Sequence, residues 1–337
     1  MNTTILPVTA KETRLRKEME ALLIREGIRL DPHLDESYVL VDEDENVLAA
    51  GSRFGNTLRC LAVDGKHRGE GLMVRMASFL LTRVTGNCFL ITKPENTSLM
   101  TELGFHTLAE TADAVFMENH ARGFESWLET VPKGADAAVV MNANPFTRGH
   151  RFLAEQAARE SEGVLVFAVQ EENGAIPFDV RLRLVREGLS DLKNVTVVPG
   201  GPYIVSRATF PSYFLKSEND AIRAHAALDT ALFIRIAKAL GIARRYLGEE
   251  PKSYVTGIYN DMMQTFLPAA GIGCRVIPRL EAEGEVISAS AVRRALQKKD
   301  FETVERLVPE STWRYFQSEE AAPVLEALDK EKDVIHY

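Results

Sequence analysis

Two short strings in this chain carry residue types suited to holding a polyphosphate. The first is Asn142-Ala143-Asn144-Pro145-Phe146-Thr147-Arg148-Gly149-His150, which follows an apolar run at 137–141. A strand, a Pro/Gly turn and a helix start would set Thr147 and His150 beside the unpaired N–H groups and the positive dipole end of the helix, where phosphate is stabilised. Gly149 lets backbone approach a ligand closely. His150 can donate a hydrogen bond to a phosphate oxygen, and Thr147 can add a hydroxyl. The same residues also fit a plainer reading, a threonine N-cap beside a satisfied histidine. The second string is Ile287-Ser288-Ala289-Ser290-Ala291-Val292-Arg293. Two hydroxyls at a helix start and a guanidinium one turn on form a second anion site, since arginine grips phosphate with several donors at once. Capping serines and a solvated surface arginine are the alternative.

These strings need a scaffold that brings them together. From residue 137 the chain alternates between apolar strand-length runs (137–141, 164–170, 195–198, 245–247, 274–277) and helical stretches (149–160, 179–192, 221–240, 260–267). Runs that are apolar throughout, separated by helices, imply a parallel sheet covered on both faces. Ligands in such sheets bind beyond the carboxyl ends of the strands. The fold class expected is therefore α/β. Before it, a helix at 11–27 precedes strands at 37–41, 47–51 and 58–63, with the acidic turn 42–46 joining the first two as a hairpin. The loop Lys66-His67-Arg68-Gly69-Glu70-Gly71 then opens an apolar helix at 72–84, followed by a strand at 88–92 and a short helix ending near Leu103-Gly104-Phe105. Thr130-Val131-Pro132-Lys133-Gly134 breaks the pattern, so the expected domains are 1–130 and 131–337.

Composition narrows the function. At 337 residues the chain exceeds one ordinary core. A net charge of −8 argues against general nucleic-acid binding, which needs a basic face. Cys60, Cys88 and Cys274 lack metal-ligand spacing and read as buried structural thiols of a reducing compartment. The N-terminal stretch has no long apolar segment like that of a signal peptide, and the apolar runs are too short to span a bilayer. A cytoplasmic location with no membrane partner is expected.

The two phosphate strings together resemble the nucleotidylyltransferase superfamily, with its (H/T)-x-G-H and I-S-x-S-x-x-R signatures in this order. The N-terminal part resembles the GNAT acetyltransferase fold, whose Q/R-x-x-G-x-G/A loop wraps the pyrophosphate of coenzyme A; here Lys66 stands where Gln or Arg is usual. The fusion, together with Gly248-Glu249-Glu250-Pro251, resembles the citrate lyase ligase family over nearly the whole chain. The resemblance implies a GNAT-like domain followed by a Rossmann-like nucleotidylyltransferase domain. It implies that acetate is activated with ATP and Mg²⁺ as acetyl-AMP, releasing pyrophosphate, and that the acetyl group passes to the thiol of the CoA-like prosthetic group on citrate lyase acyl carrier protein.

The site residues it implies are His150, Thr147 and Arg293 for catalysis. ATP would be contacted by Asn142, Asn144, Phe146, Thr147, Gly149, His150, Gly248, Glu249, Ile287, Ser288, Ser290 and Arg293. Lys66, Arg68, Gly69 and Gly71 would hold the prosthetic group, and no protein metal ligand is expected. Three alternatives remain open: AMP transfer to a phosphorylated pantetheine- or nicotinamide-type acceptor, a CoA-sensing N-terminal module, and an active N-acetyltransferase. Among secondary candidates, His225 and Asp229 read as an exposed i,i+4 pair, with ordering of an acetate pocket as the alternative. Arg207, Thr256 and Tyr259 are weaker candidates.

Overall fold

A computed structural model describes residues 2–9, 13–170, 175–204, 215, 218–249, 254–282 and 285–330. The chain divides into two compact units, Met1–Ser126 with Phe210–Ala231, and Trp127–Thr209 with Leu232–Tyr337. Arg207, Glu250, Pro251 and the terminal 331–337 lie outside the described residues, as does the side chain of Thr256. Among the described residues no helix is long and apolar enough to cross a membrane.

The first unit contains β1 (Thr4–Pro7), α1 (Thr13–Arg25), β2 (Glu36–Val41), β3 (Val47–Phe54), β4 (Thr57–Val63), α2 (Leu72–Leu81), β5 (Phe89–Thr92), α3 (Thr97–Glu102), β6 (His106–Glu110) and β7 (Val115–Glu118). Helix α4 (Gly123–Thr130) leads out of it. The sheet order is β1-β2-β3-β4-β5-β7-β6. The expected hairpin is present: Asp42 accepts from the N–H groups of Asp44 and Asn46 and from the Asn46 amide, closing the turn between β2 and β3. Every neighbouring pair is antiparallel except β4 and β5, which are parallel and pair only at Thr57–Phe89 and Leu58–Leu90. Beyond those two rungs β4 runs on to Val63 unpaired with β5, which opens the sheet. Leu72, Met76 and Leu80 of α2 pack onto the buried residues of β2 to β5. The short strands β1, β6 and β7 went unforeseen; β1 ends in a proline and β6 has three exposed residues, so neither shows an apolar run.

The second unit is built on β8 (Ala137–Met141), α5 (Arg148–Arg159), β9 (Val164–Ala168), α6 (Phe178–Gly188), β10 (Val195–Pro199), the part of α7 (Glu218–Leu240) from Leu232 on, β11 (Arg244–Gly248), α8 (Tyr254–Ala269) and β12 (Gly273–Ile277). After a two-stranded ribbon, β13 (Glu281–Ala282) and β14 (Glu285–Val286), come α9 (Ala289–Gln297), α10 (Phe301–Leu307), α11 (Glu310–Phe316) and α12 (Ala322–Lys330). The five long strands form a parallel sheet in the order β10-β9-β8-β11-β12. The α/β expectation holds. The order reverses between β8 and β11, so their carboxyl ends flank the crevice in which such sheets bind ligands.

All three cysteines were expected to be buried. Cys60 and Cys88 are, and desolvation pushes both thiols up to about 12; Cys274 is partly exposed. Gly188 ends α6 against the ring of Phe146, where an added Cβ would stand 2.5 Å from Cε1 and 2.9 Å from the Ser311 hydroxyl. Substituting Gly188→Ala is therefore expected to destabilise this unit by about 1–3 kcal/mol through overpacking, measured as a lower midpoint for its unfolding transition in denaturant.

Candidate active site at the sheet's switch point

The turn after β8 is held from below by an arginine that the sequence reading did not single out. Arg181, only 1% exposed, donates to the carbonyl of Asn142 at 2.6 Å, to its Oδ1 at 2.8 Å, and to the carbonyls of Val169 and Ile176 at 3.1 and 3.2 Å. Asn142 and Val169 lie just past the carboxyl ends of β8 and β9, and Ile176 lies just before α6. The clamp fixes where the backbone leaves the sheet, and it commits the side-chain oxygen of Asn142. Ala143 follows with a φ of 50°, and the peptide between Asn144 and Pro145 is cis.

Thr147 is the N-cap of α5 and is buried. Its hydroxyl accepts the His150 N–H at 3.3 Å, while its own N–H donates to His150 Nδ1 at 3.1 Å, with the hydroxyl 2.9 Å from the same nitrogen. The plainer reading, an N-cap beside a satisfied histidine, describes this geometry, yet it leaves the imidazole available to a ligand. A backbone N–H can only donate, so Nδ1 is the acceptor and the ring proton of the neutral form belongs on Nε2. Burial, then the positive charge of Arg279, holds the His150 pKa down at about 4. At neutral pH the side chain is thus an uncharged N–H donor. Phe146 is fully buried and its ring lies 6.0 Å from the imidazole at 16° between planes. Its place is behind the histidine, and its carbonyl accepts the Thr312 hydroxyl at 3.0 Å.

The second string meets the first. Arg293 of α9 is 3% exposed, not a solvated surface charge, and Nη1 donates to the carbonyl of Asn144. Gly149 lies against the carbonyl of Ile287, where a Cβ would stand 3.1 Å from the oxygen. The glycine therefore serves the approach of one motif to the other. Ser288 caps α9, accepting from the Ala291 N–H at 3.1 Å, and its hydroxyl is 3.1 Å from that of the buried Ser290. One further polar atom is conspicuous here: Asn144 Oδ1 is buried without a hydrogen-bond partner among the described residues.

Gly248 ends β11 across the crevice. Its carbonyl accepts from the Asn260 amide at 3.1 Å, and the exposed Glu249 donates its N–H to the Ile277 carbonyl at 2.8 Å. Arg279, two residues past β12, donates Nε–H to the Glu249 carbonyl at 2.6 Å and Nη1–H to the Ile287 carbonyl at 3.3 Å. The sequence reading passed over Arg279; its position just beyond the carboxyl end of a parallel strand was the available signal. His225 and Asp229, expected to be an exposed pair, are buried at 2% and 7% exposure: they lie on the packed face of α7, a face that spacing alone does not identify. Tyr259 lies in α8, apart from the two strings in sequence.

In the first unit the loop before α2 borders a cavity of about 560 Å³ whose lining includes Arg68, Gly69, Gly71, Thr92 and Asn96. Lys66 is exposed and is not part of that lining. Gly69 and Gly71 have φ of 85° and 76°, values that exclude most side chains on conformational grounds, with open space where a Cβ would point. Glu26 accepts the Gly65 N–H at 2.9 Å and pairs with Arg68.

Because the folded-state pKa of His150 lies below its unfolded value, the unfolded chain binds the extra proton first. Its contribution to stability is complete above about pH 6.5 and falls as pH drops toward 4. Titration of the free protein by NMR is expected to place the His150 midpoint near 4, with no ring titration at 6.5.

A model of the citrate lyase ligase C-terminal domain matches residues 136–316. A citrate (pro-3S)-lyase ligase of Escherichia coli (strain K12) is 35% identical over 92% of this chain and 93% of its own length. One of Klebsiella pneumoniae is 34% identical over 90% of this chain and 92% of its own. Among solved structures, Thermotoga maritima TmcAL bound with alpha-thio ATP aligns at 13% identity over 54% of this chain and 55% of its own, with a TM-score of 0.35. With the family model matching more than half of its length and two relatives matching nearly all of it, the chain belongs to the citrate lyase ligase family.

Proposed function

We propose that this ligase activates acetate with ATP as acetyl-AMP, releasing pyrophosphate, and then acetylates the thiol of the CoA-like prosthetic group on citrate lyase acyl carrier protein. The observation that carries the reading is the meeting of two distant strings at the switch point, where an imidazole N–H, paired hydroxyls and a guanidinium gather on one crevice. Family membership supports the same reaction.

In this reading no side chain acts as nucleophile. An acetate oxygen attacks the α-phosphorus in line, and the protein supplies position and charge neutralisation. His150 donates Nε2–H to a phosphate oxygen and is held in that tautomer by the Thr147 N–H. Ser288, Ser290 and the α9 N-terminus receive the terminal phosphates, while Arg293 fixes the Asn144 turn against them. The turn carrying Gly248 and Glu249 faces the nucleotide from β11. The donor set is made of N–H groups, hydroxyls and cations, which suits phosphate oxygens; Mg²⁺ would be carried by those oxygens and by water, with its charge offsetting theirs. The proposed division of labour, residues 1–130 for the carrier's prosthetic group and 131–337 for adenylation, gives the glycine loop of Arg68, Gly69 and Gly71 the pantetheine and pyrophosphate portion of that group, with its backbone N–H groups as donors.

His150→Ala is expected to lower acetate-dependent exchange of labelled pyrophosphate into ATP by about 10²- to 10³-fold, the usual cost of one well-aimed donor. Exchange that requires a phosphomonoester instead of acetate would transfer the assignment to AMP transfer. Gly69→Val with Gly71→Val is expected to slow acetylation of the carrier thiol while exchange stays at the wild-type rate; equal loss of both activities would refute the division of labour.

A further inference from the structure

Three chain segments converge at the switch point; Arg279 bonds two of them, and the third is packed against one of its acceptors. Its Nε–H is bonded to the Glu249 carbonyl beyond β11, and its Nη1–H to the Ile287 carbonyl that precedes α9. That Ile287 carbonyl is the same one against which Gly149 is packed, one residue from His150. The guanidinium is therefore held among the Gly248–Glu249 turn, the start of α9 and the first turn of α5.

We propose that Arg279 is a further catalytic residue of the adenylation step, gripping the β- and γ-phosphates beside His150 and neutralising pyrophosphate as it leaves; the proposal rests on the acyl-adenylate reading above. Arginine presents five N–H donors in a rigid plane. The two carbonyl bonds set that plane from two different segments, so little side-chain freedom remains to be lost when an anion arrives. Both arginines bond backbone carbonyls, but Arg293 is only 3% exposed whereas Arg279 is half-buried. The two arginines thus divide the work, one building the turn and the other meeting the ligand.

The electrostatics agree with this placement. Arg279 disfavours a second positive charge on the imidazole, and its own pKa is lowered by burial. A cation and a neutral N–H donor near enough for the charge of one to act on the other suit an anion. In the forward step a carboxylate oxygen forms a bond to the α-phosphorus while the bond from that phosphorus to the bridging oxygen breaks. The bridging oxygen keeps the electron pair, and pyrophosphate departs with it. Charge accumulates on the leaving group, which is where this guanidinium would act.

The test is acetate-dependent pyrophosphate exchange with wild type, Arg279→Met and Arg279→Gln, each checked for fold by circular dichroism. Loss of the guanidinium is expected to reduce kcat by about 10²- to 10³-fold and to raise KM for pyrophosphate at least about tenfold, leaving KM for acetate nearly unchanged. In the free protein, the His150 midpoint seen by NMR should move upward from about 4 in the variants. Added guanidinium ion should restore part of the lost rate. A variant that keeps the wild-type KM for pyrophosphate, or raises the KM values of acetate and pyrophosphate alike without guanidinium rescue, would overturn the proposal and reduce Arg279 to a loop clamp. Should Arg279→Met fail to fold, Arg279→Gln retains a donor for the Ile287 carbonyl and carries the same readouts. If wild type itself shows no exchange with any small acid, the acyl-adenylate reading falls, an outcome distinct from active wild type with an unaffected variant.

Discussion

A hydrogen bond from the guanidinium of Arg293 to the carbonyl of Asn144 ties together segments 149 residues apart in sequence. A buried cation on a backbone carbonyl is costly to leave unmade, so this contact fixes α9 to the turn after β8. The approach of Gly149 to the Ile287 carbonyl makes the same connection by close packing. Arg181 performs the matching task beneath the sheet edge, where its donors gather carbonyls from the segments following β8 and β9. The crevice is thus bounded by arginine-to-carbonyl bonds, which orient the backbone segments that border it.

Much of this arrangement was legible from residue order alone. The alternation of apolar runs and helices gave the parallel sheet, and the turn strings Thr147-Arg148-Gly149-His150 and Ser288-Ala289-Ser290 gave the helix starts, because capping is a local matter of three residues. Partnerships over long separations were not legible. Nothing local distinguishes Arg181 from a surface cation, and Arg279 is marked only by its place just beyond a strand's carboxyl end; their importance comes from which carbonyls the fold brings within reach. Burial along α7 was misjudged for a related reason: a 23-residue helix shows more than one candidate face, and only packing decides which carries His225. In the site itself, Phe146 and Thr147 lay in the right string, but the structure uses them to seat the imidazole.

The first unit follows a different logic. Its sheet is antiparallel apart from one adjacent pair, and that pair has only two rungs. Where the strands part, Leu61, Ala62 and Val63 of β4 line the cavity beside α2. The two left-handed glycines keep the loop open at the helix N-terminus, while the Glu26 carboxylate already braces it through the Gly65 N–H and Arg68. The loop is shaped by the chain's own contacts.

The imidazole's bond with the Thr147 main chain has one last chemical consequence. A mixed anhydride is an aggressive electrophile, and a histidine with an open lone pair beside it would be acylated in place of the intended thiol. With one ring nitrogen occupied by an amide hydrogen and the other bearing its own, His150 has no lone pair to offer. The residue nearest the reactive phosphates in our reading is able to give a hydrogen bond yet unable to attack. In that reading the histidine is spared modification by the proposed acyl-adenylate.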